Sequence, residues 1–416
     1  MKNGAAIPNN DCADAFVDYQ LLLAFLRQAL HPIADAQSLI PSHIAVCWPR
    51  LLSLAHRHEV LPLLNLGLRN VSGVPAPVRR WLQIYCRKVI AQNLRLASEL
   101  VSLVELLEAS KVAVVPFKGP AWTVTLYGNL AIRQITDLDI FIDKSQAGLI
   151  FELLTARGYV LSAKSKARSS DQIRLNDKDV ELLHCETGVL LEVHWAVCEP
   201  WFDRRLCSLN LWKPVSTMSL LNRSVPLPSP EDLVFLLAIH GFRHRWESLK
   251  WVCDIAAAVR AFPDLNWAAL LSKAARLSRK RMVLLPLAIV QQLFNTPLPD
   301  CVLTAIAQDP NVTALATQLQ KAHYATNDAS SSNPIRRFVY LEGLRMRSRE
   351  SFLERLSRTA TLFLALFKPS DKDRQYFSSR PLPEPLYWLI RPFRLLNNYG
   401  VASVLEVLRR ISPLRG

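Results

Sequence analysis

Asp137 and Asp139 flank a single leucine in the run Arg133-Gln-Ile-Thr-Asp-Leu-Asp-Ile-Phe-Ile, and a third acid, Glu192, stands alone in Leu190-Leu-Glu-Val-His-Trp. Along an extended strand successive side chains alternate faces. Asp137 and Asp139 then project to one side, sharing a wet face, while Leu138, Ile140 and Ile142 project to the packed side. The same rule puts Glu192 and His194 opposite to Leu191 and Val193. Three carboxylates within a few ångströms raise one another's pKa unless a cation compensates them, and hard oxygen donors suit Mg²⁺ or Mn²⁺. Asp137, Asp139 and Glu192 are therefore the candidate catalytic acids and metal ligands. Ions held this way serve phosphoryl and nucleotidyl transfer by stabilising charge at the transferring phosphorus and acidifying the attacking hydroxyl.

Phosphate needs cations and free N–H groups as well. Val115-Pro-Phe-Lys-Gly-Pro reads as a strand feeding Lys118-Gly119 and then a helix, where glycine lets backbone N–H groups approach an anion at the helix start. Lys118 and Gly119 are candidate nucleotide-binding residues. Arg133 is a third, although pairing with Asp137 or capping a loop would equally account for it. His194 is expected to hydrogen-bond a carboxylate from behind rather than to join His184 and Cys185 at a zinc ion. His240 is placed beside it as a supporting residue. His240 and His244 lie one helical turn apart and, with Arg243 and Arg245, could face the substrate, but a polar helix face explains them slightly better. Trp251 is taken as packing, and Asp254 as orienting a helix or a histidine.

The elements that must position these residues follow from the periodicity. From Cys12 to about Ser110 apolar spacing is helical, as in Leu96, Leu100, Leu103, Val104 and Leu107. Short apolar runs then alternate with helices: Val112–Phe117, a helix over Gly119–Tyr127, Leu138–Ile142, a helix from about Gln146 to Arg157, and extended runs at 172–175, 180–184 and 189–193. After Pro200 helical patterning returns, opened by Ser229-Pro-Glu-Asp with Ser229 as N-cap and Asp232 closing a capping box. The expected architecture is α+β: a small mixed-sheet core over 109–200, a helical region over 1–108, a helical domain over 201–326, and a basic, mainly helical segment over 327–416. Residues 1 to about 12 are expected to be disordered, and 327–333 to form an exposed connection.

Taken together, these pieces resemble the DNA polymerase β-like nucleotidyltransferase superfamily, with its glycine motif after a strand, two acids one residue apart on the next strand and a third acid on a later one. More closely, they resemble a bacterial nucleotidyltransferase family whose members read Lys-Gly-Pro, Leu-Arg followed by Asp-Leu-Asp, and His-Trp. That closer resemblance covers most of the chain. It takes in His56-Arg-His-Glu-Val-Leu-Pro-Leu-Leu64, Leu249-Lys-Trp-Val-Cys-Asp-Ile255 and Arg391-Pro-Phe-Arg-Leu395. It implies transfer of a nucleoside monophosphate from an NTP, with Asp137 and Asp139 as the metal pair, Glu192 as the ligand or base nearest the acceptor hydroxyl, and Lys118-Gly119 as the glycine motif. The wider superfamily carries Gly-Gly or Gly-Ser at that place, and the closer family shares Lys-Gly.

Composition bounds the partners. The chain of 416 residues carries 50 Lys and Arg against 35 Asp and Glu, a net charge of +15, which favours anionic partners. From Asn333 onward 16 basic side chains face 7 acidic ones, so +9 of that charge sits in the last fifth. The eight cysteines include no CxxC pair, and with no signal-peptide pattern at the start the expected compartment is the cytoplasm. No apolar run reaches the ~20 residues of a membrane helix. P-loop and dinucleotide-binding motifs are absent from the sequence. The acceptor stays open between a small molecule, a peptide and RNA, the oligomeric state is open, and so are two rival readings: a non-catalytic accessory protein of a biosynthetic cluster, and an RNA-acting nucleotidyltransferase.

Overall fold

A computed structural model describes residues 12–32, 39–40, 45–163, 165, 178–199, 203–207, 209, 213–324, 343–344, 346–365, 367–369 and 383–399. The expectations for residues 1–11, 172–175 and 327–333 lie outside the described residues. In chain order the front helices are α1 (Cys12–Leu30), α2 (Trp48–Arg57), α3 (Leu61–Gly67) and the long α4 (Ala76–Ala109). The α/β unit follows as β1 (Val114–Pro116), α5 (Gly119–Tyr127), β2 (Leu138–Ile142), α6 (Ala147–Ala156), β3 (Tyr159–Leu161), β4 (Asp179–His184) and β5 (Leu190–His194). Behind it come α7 (Arg204–Cys207), β6 (Ser216–Leu220), β7 (Arg223–Leu227), α8 (Pro230–Arg243), α9 (Leu249–Ala261), α10 (Trp267–Arg276), α11 (Lys280–Phe294), α12 (Asp300–Ala307), α13 (Pro310–Tyr324), α14 (Phe352–Ala365) and α15 (Glu384–Tyr399).

The fold is α+β, with helices flanking a five-stranded mixed sheet of order β1-β2-β5-β4-β3. β2 and β5 run parallel, and the remaining pairings are antiparallel. Register decides which side chains meet. Asp139 lies opposite Glu192 and Phe141 opposite His194, while Asp179 faces His194 and Glu181 faces Glu192 across the next pairing. Because cross-strand neighbours share a face, the topology gathers acids from three strands onto one side of the sheet.

The apolar stripe of α4 is buried at Leu96, Leu100, Leu103, Val104 and Leu107, as its spacing requires. The helix α1 buries Leu22, Phe25 and Leu26 and packs against α3 and against the late helices α9, α11 and α13. Polar ties reinforce this: Tyr19 meets His323 Nδ1 at 3.1 Å, and Arg260 donates to the carbonyl of Leu30 at 2.6 Å. Front and back helices thus pack on one another.

Two elements depart from the sequence reading. The hairpin β6–β7 occupies a stretch expected to be helical. Its two turn residues, Leu221 and Asn222, both have positive φ (51° and 63°), a conformation for which leucine gives no signal. Ser229 caps α8 as expected, its hydroxyl accepting from the N–H of Asp232 at 3.1 Å. The carboxylate of Asp232, however, pairs with Lys273.

Candidate active site

The sheet's acid face forms the floor of a cleft of about 320 Å³ whose lining includes Asp137, Asp139, Asp179 and Glu192. That volume suits a small-molecule ligand. Asp139, Glu192 and His194 each offer one ligand atom, and these atoms lie within 4.8 Å of one another. His194 Nε2 stands 2.8 Å from Asp139 Oδ1 and 3.3 Å from Glu192 Oε2. An ionised carboxylate only accepts, so this nitrogen carries the proton and its N–H is shared between the two acids. On its other side Nδ1 lies 3.7 Å from Asp179 Oδ2.

Asp137, just ahead of β2, lines the same cleft outside that tight group. Burial and the negative charges of Asp139 and Glu192 raise its pKa, with Lys118 partly offsetting them. Asp139 moves the other way: burial pushes it up, but the Lys118 ammonium and the His194 hydrogen bond outweigh burial and hold it low. The His194 hydrogen bond likewise depresses Glu192 against the effect of burial. The acid face is therefore not the solvated surface the alternation suggested. Asp139 is buried, and the crowding is relieved by cations packed onto it. Two carboxylates converging from neighbouring strands, held in place by the His194 N–H, are a donor set that fits a divalent cation.

Lys118 sits where β1 gives way to α5. The N–H of Phe117 donates to the Asp139 carbonyl at 2.8 Å, prolonging the β1–β2 pairing and aiming the next residue at the acids. Lys118 Nζ lies 3.3 Å from Asp139 Oδ1 and 4.4 Å from the centroid of the Phe117 ring. Its backbone has φ 67° and ψ −146°, a region glycine prefers and lysine occupies only under strain. Gly119 follows with φ 63°. No side chain caps the first turn of α5, and Gly119, its first residue, lines the cleft, a helix start where an anion is favoured.

The opposite wall comes from α8 and α9. Arg133 does not pair with Asp137: its Nε donates to Asp254 Oδ1 and Oδ2 at 3.1 and 3.0 Å, and the Tyr127 hydroxyl donates to the same carboxylate at 2.9 Å. Asp254 thus orients an arginine. His240 is buried, with its pKa pushed well down by burial and by Lys118. The helix α8 is buried from Leu233 through Phe242, so the polar-face reading of His240 fails. His244 stacks on Trp251 at 4.8 Å and 27°. Both line the cleft with Arg243 and Lys250, and Trp251 also packs against the hydrophobic core, as its reading as a packing residue expects. Arg243 reaches Glu199 at 3.3 Å, and Arg245 turns to Glu247.

All six candidate catalytic and nucleotide-binding residues, Asp137, Asp139, Glu192, Lys118, Gly119 and Arg133, line this one cleft, and His240 lines it too. His184 does not approach it as a ligand: its Nδ1 accepts from the N–H groups of Glu186 and Thr187. Asp179, Lys178, Glu199 and Lys250 also line the cleft and were not singled out from sequence. Only Asp179 carried a signal, its parity with Glu181 along β4.

Among the described residues, no helix is long and apolar enough to cross a membrane. A search of curated proteins finds no match to this chain. A family model described as an uncharacterised nucleotidyltransferase matches residues 45–295, from α2 through α11. The chain belongs to that family.

Proposed function

We propose that this member of the uncharacterised nucleotidyltransferase family moves a nucleoside monophosphate from an NTP to a hydroxyl acceptor in the cytoplasm. The observation carrying the reading is the convergence of Asp139, Glu192 and His194 within 4.8 Å, with the Lys118 amine 3.3 Å from Asp139 at an uncapped helix start. Asp139 and Glu192, with Asp137 beside them in the cleft, would hold Mg²⁺ or Mn²⁺, which when bound neutralises phosphate oxygens and acidifies the acceptor hydroxyl.

The remaining work falls to the chain's own groups. Lys118 and the first-turn N–H groups of α5 hold the triphosphate. Arg133, fixed by Asp254, adds a cation at the same mouth. His194 fixes the carboxylates of Asp139 and Glu192 in one geometry, and His240 packs edge-on against Phe117 behind Lys118. The acceptor oxygen bonds to the α-phosphorus, the bond from that phosphorus to the β-phosphate bridging oxygen breaks, and pyrophosphate leaves. In this reading Glu192 takes the hydroxyl proton.

Calorimetric titration with ATP, GTP, CTP and UTP in Mg²⁺, on wild type and Asp139→Asn, tests the reading. Binding of one or more NTPs that needs the metal and is lost in the variant is the expected result. Failure of folded wild type to bind any NTP would overturn the proposal.

A further inference from the structure

The helices α14 and α15 are mounted the wrong way round for a chain that is surrounded only by water. At 100° per residue Phe352, Leu353, Leu356, Phe363 and Leu364 fall within about a third of the circumference of α14, and all five are exposed, Leu353 at 73%. The opposite side of the helix carries Glu354, which holds it to the body by polar contacts: Arg279 at 2.7 Å and Arg205 at 3.1 Å. Two residues before α14, Glu350 accepts from the N–H of Arg281 at 2.7 Å. The helix α15 repeats the pattern. Tyr387 is buried, while Leu386, Leu389 and Phe393 fall together on the far side and are exposed, Phe393 at 73%.

Surface helices normally turn the apolar stripe inward. On α14 ion pairs face in, and on both helices phenylalanine and leucine face out, which marks a surface meant for a partner. The charge of the segment identifies that partner. From Asn333 to the end, 16 basic side chains stand against 7 acidic ones, a net +9. A twofold pairing of the chain through these helices would bring two segments of net +9 into one neighbourhood, because an isologous contact brings the same patch to both sides. An anionic bilayer instead supplies acyl chains for the outward Phe and Leu side chains and phosphates for the Arg and Lys of the segment.

We infer that α14 and α15 are amphipathic anchors that seat the protein on an anionic membrane surface without spanning it. The test is co-sedimentation of the full chain at low salt with vesicles of phosphatidylcholine alone and of phosphatidylcholine mixed with phosphatidylglycerol. Binding to the mixed vesicles only, weakened by salt, is expected. The pairs Leu353→Glu/Leu364→Glu and Leu389→Glu/Phe393→Glu should each lower partitioning about tenfold or more. They should leave the melting temperature unchanged, since all four side chains are exposed. Absence of binding to the mixed vesicles, or undiminished binding by the glutamate pairs, overturns the inference. So does a wild-type dimer, seen by light scattering, that the same substitutions dissociate, because that outcome gives the face to a second copy.

Discussion

Asp254→Asn keeps the shape of the side chain and removes its charge, leaving Arg133 as a guanidinium in the cleft wall with no counter-ion at its Nε. The two groups meet at 3.0 Å with side-chain exposures of 11% and 1%. Unit charges about 4 Å apart interact by about 4 kcal/mol at an effective dielectric near 20. Water at the cleft mouth recovers part of this for Arg133, so the expected loss is about 3 kcal/mol, at the lower end for breaking a buried pair. Urea unfolding should show it as a midpoint lower by about 1 M. Replacing both partners by apolar residues, Arg133→Met with Asp254→Leu, should recover about half of that stability or more. It cannot recover all, because the Tyr127 hydroxyl still lacks its acceptor at about 1 kcal/mol. NTP affinity in Asp254→Asn should fall about tenfold as Arg133 loses its fixed orientation. A stability within about 1 kcal/mol of wild type, or a double variant weaker than the single one, would refute the assignment of Asp254 as the holder of Arg133.

Three further outcomes follow from the geometry. Lys118→Gly and Lys118→Ala should weaken NTP binding alike in calorimetry, but the glycine variant should be more stable by about 1 kcal/mol, since only glycine sits at φ 67° without strain; equal stability would show that the backbone there is relaxed. Gly241→Ala should lower stability by about 3 kcal/mol, measured by thermal unfolding, because its Cβ would meet the Trp246 ring at 2.3 Å. Acidification should destabilise the fold through His58 and His323. Burial, with lesser contributions from neighbouring positive groups, lowers their pKa values to about 3 and about 4. Unfolded histidines take up protons below about pH 6.5 and the folded pair does not, so the stability is whole above that pH and drains away as pH falls toward 4. Between pH 7 and 5 the loss is about 2 kcal/mol per histidine, and unfolding midpoints that do not move across this range would contradict it.

The hydrogen bonds of that pair agree with neutral rings. His58 Nε2 donates to the His323 carbonyl at 3.0 Å while its Nδ1 accepts the N–H of Leu249. His323 Nε2 donates to the Trp246 carbonyl and its Nδ1 accepts from the Tyr19 hydroxyl. Every ring nitrogen already has its partner, so an added proton would have to expel one.

The acids of β2 and β5 were legible because a strand writes its faces into alternate residues, and a lone carboxylate among Leu, Ile and Val stands out. Lys118-Gly119 was legible from its place between a strand and a helix. What escaped was set by register and packing. Asp179 matters because β4 lies antiparallel to β5 with Asp179 against His194, and nothing local to β4 fixes that offset. Asp254 is one acid on a helix until α9 is laid against α5 and Arg133 comes within reach. His240 was misjudged because hydrophobic burial all round α8 left no polar face for it to occupy. The hairpin β6–β7 was hidden by a leucine in a turn that ordinarily advertises itself with asparagine and glycine.

The embrace of α1 by the late helices bears on how the chain comes off the ribosome. Tyr19 and its partner His323 are 304 residues apart in sequence. At the ~5–20 residues per second of synthesis, Leu22, Phe25 and Leu26 wait roughly 15–60 s before α9, α11 and α13 can all cover them. Until then α2 and α3 are the neighbours already made, and part of an apolar helix stands in water at the head of a nascent chain. Helper proteins that shield such surfaces should therefore engage this chain early and release it only after residue 324 has emerged, and truncations that remove α13 should aggregate even though they retain every residue of the cleft.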